Sequence, residues 1–259
     1  MRLGCKPMIK IEGYPAKEEN YTYKKEQWSK VENKWWIQST KYLIFDMDGT
    51  LVDTERLYNR FWVEAARHFG YPMEPRHALM LRSLTPTLAE PLMKREVCED
   101  FDFYGVREYR RKIMEVYVDE NGLTPKPYME ESIKRLHDAG FRIALATATP
   151  EWRARKYLER LDVLQFFDAI ATAEMVARGK PSPDIYLLAM QKLGCKPEES
   201  IAVEDSPTGI RSAYASGAYT VMIPDLDQPD EETKTMCSLI LPTLRDLADI
   251  VIHEKETDE

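Results

Sequence analysis

Cysteine is scarce in this chain. Cys5, Cys98, Cys195 and Cys237 lie far apart and form no C-x-x-C pair. Neither a disulfide framework nor a cysteine zinc site is expected, and reduced thiols in a cytoplasmic protein are. Histidine is as sparse: His68, His77, His137 and His253 show no metal-ligand spacing. No apolar run approaches the length of a membrane span, so no membrane partner is expected. Leu3-Gly4-Cys5 resembles a lipoprotein cleavage box, but no apolar h-region precedes it and no such leader is expected. Positive charge is in deficit: the net charge is −8, which argues against a broad nucleic-acid footprint.

Two familiar ion and phosphate motifs are also missing. A P-loop reads G-x-x-x-x-G-K-[ST]. The single Gly-Lys pair, Gly179-Lys180, is followed by Pro181, and Glu174 stands where the first glycine should be. An EF-hand loop counted from Asp46 would need Gly and Glu where Leu51 and Leu57 stand.

What is present reads as a soluble globular protein. The chain has 259 residues, 44% hydrophobic and 31% charged, enough for one large domain or two small ones. Residues 1–40 differ: eight Lys/Arg against five Glu give +3, leaving −11 for the remainder. Their aromatic residues, among them Trp28, Trp35 and Trp36, follow no clear period. A loosely attached extension is expected there, with a partner-binding arm as the alternative.

From Lys41 the pattern becomes regular. Tyr42–Phe45 reads as a short buried strand. Residues 55–125 read as mostly helical, with Gly70 and Pro72 closing the first helix. In the second long helix, Val106, Tyr109, Ile113, Val116 and Tyr117 share a face. Arg107, Arg110, Arg111 and Lys112 spread around that helix and read as a solvated basic face. After Pro125 and Pro127, strands and helices alternate. Strands are expected at Arg142–Thr147, Ala169–Ala171, Ser200–Val203, Tyr219–Ile223 and Ser238–Leu241. That alternation predicts an α/β fold with a doubly wound parallel sheet. The helical block interrupts it after the first strand, so the domains expected are a core of 41–54 and 126–259 and an inserted all-helical cap of 55–125.

The chemistry lies at the strand ends. Asp46-Met47-Asp48-Gly49-Thr50 follows the first strand, Thr147-Ala148-Thr149 the second, Gly179-Lys180-Pro181-Ser182-Pro183-Asp184 the third and Glu204-Asp205-Ser206 the fourth. Strands of an open α/β sheet deliver such residues to one edge. Singly, each has a plain explanation: Asp205 as a helix cap, Lys180 as a solvated loop lysine, Thr147 as a strand threonine.

Together and in this order, the four motifs resemble the haloacid dehalogenase superfamily of phosphotransferases, over residues 41 to about 250. The similarity is greatest to the branch with a helical cap inserted after the first motif, which holds β-phosphoglucomutase and phosphoglycolate phosphatase-like enzymes. The resemblance implies that Asp46 is the nucleophile and Asp48 the general acid/base. It implies Mg²⁺ held by Asp46, the Asp48 carbonyl, Glu204 and Asp205, with Thr147, the Ala148 amide and Lys180 holding the phosphoryl group. Asp48 favours a phosphate ester over a carbon–halogen bond, because a halide leaves without a proton. Tyr58 stands where the mutase branch carries histidine, and Leu81-Arg82-Ser83-Leu84 where that branch carries a Ser-Arg pair. A phosphatase acting as a monomer on a small phosphorylated metabolite, such as a sugar phosphate, is therefore expected. A sugar phosphomutase, and a non-catalytic binding protein on the same fold, are the alternatives. The cap is expected to recognise the substrate through Tyr58, Arg82 and Ser83.

Overall fold

The computed structural model describes residues 35–82, 84 and 86–256; Ser83 lies outside them, as do residues 1–34. The six strands are β1 (Tyr42–Phe45), β2 (Arg142–Thr147), β3 (Ala169–Thr172), β4 (Ser200–Glu204), β5 (Tyr219–Met222) and β6 (Leu239–Ile240). They form one parallel sheet in the order β3-β2-β1-β4-β5-β6. β1 is central, and Leu43, Ile44 and Phe45 are fully buried, as a strand covered on both faces requires.

The order reverses at β1. Its neighbours are β2 on one side and β4 on the other, with Phe45 in register with both Leu145 and Val203. The crevice beyond the carboxyl ends of the strands at such a switch point is the ligand site of open α/β sheets. The register fixes what lies there, because Asp46 N donates to Val203 O at 3.0 Å. The first motif and the acidic pair of the fourth are thus adjacent.

Small residues let a helix sit close to the sheet. Ala144, Ala146, Ala171 and Ala202 pack with Ile44 against Ile185, Tyr186, Ala189 and Met190 of the helix Asp184–Leu193. Helices α1 (Trp35–Ser39), α2 (Glu55–His68), α3 (Pro75–Met80), α4 (Pro86–Glu96) and α5 (Phe103–Asn121) occupy the first half of the chain. The second half carries α6 (Met129–Asp138), α7 (Glu151–Arg160), α8 (Asp184–Leu193), α9 (Pro207–Ala215), α10 (Glu231–Met236) and α11 (Leu244–Glu256). α2 to α5 form the helical cap between β1 and β2, around a core that includes Trp62, Met73, Met93, Phe101, Phe103 and Val106.

Several details depart from the sequence reading. The expected face of α5 is rotated: Phe103, Val106, Arg110, Met114 and Val118 are buried, while Val116 is 49% exposed. The end of the 1–40 segment forms α1, where Trp36 and Ile37 are buried and Trp36 stacks on Tyr219 at 4.6 Å. α9 begins at Pro207, two residues before Gly209, because Ser206 caps it by accepting from Gly209 N at 3.1 Å and proline suits the first helical position. The last strand is two residues long, not the four of Ser238–Leu241.

Candidate active site

Three carboxylates meet at the switch point. Oxygen atoms of Asp46, Glu204 and Asp205, all buried, lie within 4.8 Å of one another. The Lys180 ammonium reaches in from the loop after β3. It donates to Asp46 Oδ1 at 2.6 Å, Glu204 Oε1 at 2.6 Å and Ala146 O at 3.0 Å, which uses all three of its donors. Tyr186 of α8 also donates to Glu204 Oε1, at 2.7 Å.

Burial pushes the Asp46 carboxyl well above the usual carboxylate range; Lys180 opposes this, and Glu204 and Asp48 add to it. Asp205 is raised in the same direction, by burial and then by Glu204 and Asp46. Burial pulls Lys180 down, but Asp46 and Glu204 outweigh it and hold the ammonium above its ordinary value. One ammonium among three buried carboxylates leaves an excess of negative charge. An all-oxygen donor set with that excess fits a hard divalent cation such as Mg²⁺.

Asp48 is held apart from this cluster. The Thr54 hydroxyl donates to its Oδ1 at 2.6 Å, and the Thr149 hydroxyl to its Oδ2 at 2.7 Å. Tyr58 Oη lies 3.4 Å from Oδ1. Burial, then the Asp48 charge, push the Tyr58 phenol up, so it remains a neutral donor.

Two glycines make room for the carboxylates. Gly49 has φ +90°, and a Cβ there would lie 2.3 Å from Asp205 Oδ2. A Cβ on Gly209 would lie 2.0 Å from the Glu204 carboxyl carbon, and Lys180 and Tyr186 prevent that group from yielding. Gly209→Ala is expected to cost about 1–3 kcal/mol as an overpacked site. A thermal melt should read a Tm several degrees lower, whereas an unchanged Tm would mean the pocket has slack.

The cluster opens into a cavity of about 420 Å³ between strand ends and cap. Asp46, Asp48, Lys180, Glu204, Asp205 and Ala148 all line it, as do Tyr58 and Arg82. Thr147 does not line it. Its side chain is fully buried, and its Oγ1 accepts from Thr149 N at 3.0 Å, shaping the loop that presents Ala148 and Thr149. Arg82 contacts Glu55 at 2.9 Å, Asp227 at 2.7 Å and Asp205 at 3.7 Å. Its guanidinium is therefore engaged in joining cap to core.

Several cavity residues escaped the sequence reading. Glu55, which pairs with Arg82, is pushed up to about 7, chiefly by burial. Thr149 stood in the second motif and Thr54 lies a few residues beyond the first, but their role as braces of Asp48 depends on bringing two strand ends together. The basic run of α5 needs correction. Arg107, Arg110 and Arg111 line the cavity; Arg110 is 7% exposed, Arg107 and Arg111 are half-buried, and Lys112 is exposed. Their i, i+3, i+4 spacing was the available signal, since it puts three guanidiniums on one face.

Known proteins resemble this chain in sequence and in fold. The sequence pattern of the family described as haloacid dehalogenase-like hydrolase matches residues 43–223. The phosphorylated carbohydrates phosphatase of Thermotoga maritima is 34% identical over 180 residues, 68% of this chain and 81% of that protein. The fructose-1-phosphate phosphatase of Escherichia coli is 32% identical over 182 residues, 69% of this chain and 94% of that one. The crystal structure of CbbY from Rhodobacter sphaeroides in complex with phosphate superposes with a TM-score of 0.68 at 26% identity, covering 80% of this chain and 96% of CbbY. On that match of pattern, sequence and fold, the chain belongs to the haloacid dehalogenase-like hydrolase family, as one of its phosphatases.

Proposed function

We propose that this protein is a Mg²⁺-dependent phosphatase of small phosphorylated sugars, working through a phosphoryl group carried on Asp46. The observation that carries the reading is the buried Asp46–Glu204–Asp205 cluster with Lys180 at its centre, opening into the cavity beside Asp48.

In the first step an Asp46 carboxylate oxygen attacks phosphorus, and the P–O bond to the sugar breaks. Asp48 gives its proton to the leaving alkoxide. In the second step Asp48 takes a proton from water, whose oxygen attacks phosphorus and releases Asp46 as carboxylate. Phosphate and the dephosphorylated sugar leave. Lys180 favours the ionised form of Asp46 against the effect of burial and balances charge on the transferring group. Thr54 and Thr149 aim Asp48 at the ester oxygen. The Ala148 amide and the Thr147–Thr149 loop border the phosphoryl position. Asp46, Asp205, the Asp48 carbonyl and Glu204 would hold a Mg²⁺ ion, which would supply the charge neutralisation that lets an anionic nucleophile approach an anionic phosphate.

The substrate class rests on cavity and relatives. About 420 Å³ suits a small sugar phosphate, and both relatives named above are phosphatases of phosphorylated sugars. The reading takes a monomer as the working unit. The free Cys98, Cys195 and Cys237 fit a cytoplasmic setting.

The test is phosphate release from a panel of sugar phosphates, hexitol phosphates, phosphoglycolate and nucleotides. Release from the sugar and hexitol phosphates in Mg²⁺, abolished by EDTA and restored by added Mg²⁺, is expected. Isomerisation of a sugar phosphate without net release would instead make it a mutase. No reaction with any ester would contradict the reading.

A further inference from the structure

Arg110 is a buried cation without a carboxylate partner among the described residues. Its side chain lies in α5 and lines the cavity. Its Nε has no hydrogen-bond partner, and its Nη1 meets only the Met114 sulfur, at 3.8 Å. Its guanidinium faces the rings of Tyr58 at 4.8 Å and Trp62 at 5.1 Å. Those rings fix the plane but supply no counter-charge. Burial, and then repulsion by Arg111, Arg107 and Arg153, pull Arg110 down to about 10, with the Tyr58 hydroxyl opposing them.

The neighbours deepen the deficit. Arg153 comes from α7 on the core side, also lines the cavity, and also has a buried Nε without a partner. Arg107 and Arg111 line the same wall. The one carboxylate paired with any of these four among the described residues is Glu108, 3.7 Å from Arg111, and its side chain is 78% exposed. Arg82, at the other end, is saturated by Glu55, Asp227 and Asp205. A buried guanidinium left unpaired is costly, and two cavity-lining arginines with no carboxylate beside them among the described residues mark a place for an anion.

From this arrangement we infer that Arg110 and Arg153, flanked by Arg107 and Arg111, bind a second anionic group of the substrate, a carboxylate or a second phosphate. The preferred substrate is then a sugar phosphate with an acidic group away from the scissile ester. Tyr58 sets the spacing: its hydroxyl is at Asp48 while Arg110 lies against its ring. The second anion is therefore separated from Asp48 by about the span of one phenol. The inference rests on the phosphatase reading and narrows its substrate class.

The experiment compares kcat/KM for three substrates: sorbitol 6-phosphate, 6-phosphogluconate, which differs by a terminal carboxylate, and fructose 1,6-bisphosphate. The wild type is expected to favour at least one doubly anionic substrate over sorbitol 6-phosphate by about tenfold or more, the worth of one charge-assisted hydrogen-bonded contact. Which of the two wins tells carboxylate from phosphate. Arg110→Met, which keeps the volume, should collapse that ratio, mainly through KM, and Arg110→Lys should restore part of it. Should Arg110→Met fail to fold, Arg153→Met gives the same reading from the core side. Equal kcat/KM for all three substrates, or a preference that survives both Met variants, overturns the second-anion site and leaves the phosphatase standing. Failure to hydrolyse any ester, p-nitrophenyl phosphate included, overturns the phosphatase reading and this inference with it.

Discussion

Asp46→Asn is expected to lower phosphate release by on the order of 10⁴-fold or more, the loss typical of removing a covalent nucleophile. The amide is nearly isosteric with the carboxylate, so the variant should fold. It lacks the anionic oxygen that attacks phosphorus, and it offers Mg²⁺ a neutral donor in place of a charged one. Lys180 Nζ, 2.6 Å from Asp46 Oδ1, can still donate to the amide oxygen. Release followed at saturating substrate checks this, with Tm as the control for folding. A loss of only about tenfold, with Tm unchanged, would mean that water attacks directly and that Asp46 serves mainly to hold the cation.

Lys180→Met should produce the largest loss of stability of any single change at the site. Lys180 neutralises Asp46 and Glu204 within the protein, and its removal leaves two buried carboxylates facing each other. Breaking a buried pair by deleting one partner costs about 3–5 kcal/mol, a fall in Tm on the order of 10 °C for a fold of this size. Two further responses separate this from ordinary cavity formation. Mg²⁺ should raise the Tm of the variant more than that of the wild type, because the cation takes over the missing positive charge. The pH dependence should also change. Without the lysine, the Asp46 carboxyl, already raised by burial, titrates higher still in the folded chain than in the unfolded one, where it sits near 4. The folded state then holds more protons, so stability rises as pH falls from 7 towards 5. Melts of the variant across that range, with and without Mg²⁺, read both effects. A Tm within a degree or two of wild type at pH 7 would contradict the charge balance described here.

Most of the core was legible in the sequence for a simple reason. Strands buried on both faces read as unbroken apolar runs, and Tyr42–Phe45 and Ile201–Val203 are such runs. The polar residues directly after them stand out, and the parallel register then brings Asp46 beside Glu204 and Asp205. What could not be read depends on contacts between distant segments. Thr54 and Thr149 are unremarkable until β1 and β2 align and both hydroxyls reach Asp48. Arg82 reads as a substrate ligand until Glu55, Asp227 and Asp205 are placed around it. Arg110 shows the converse: a charge run usually marks solvent, and only the cap's packing against Tyr58 and Trp62 turns it inward. The short α1 was hidden because Trp36 finds its partner, Tyr219, in a strand far away along the chain.

The central claim is that phosphate passes through Asp46. The direct measurement is peptide mapping of enzyme quenched in acid within the first turnover, with Mg²⁺ and a sugar phosphate that it hydrolyses. A phosphoryl adduct on the peptide carrying Asp46, absent from Asp46→Asn and appearing no later than released phosphate, is the predicted result. Full turnover with no adduct at Asp46, or with the adduct on another residue, would contradict it.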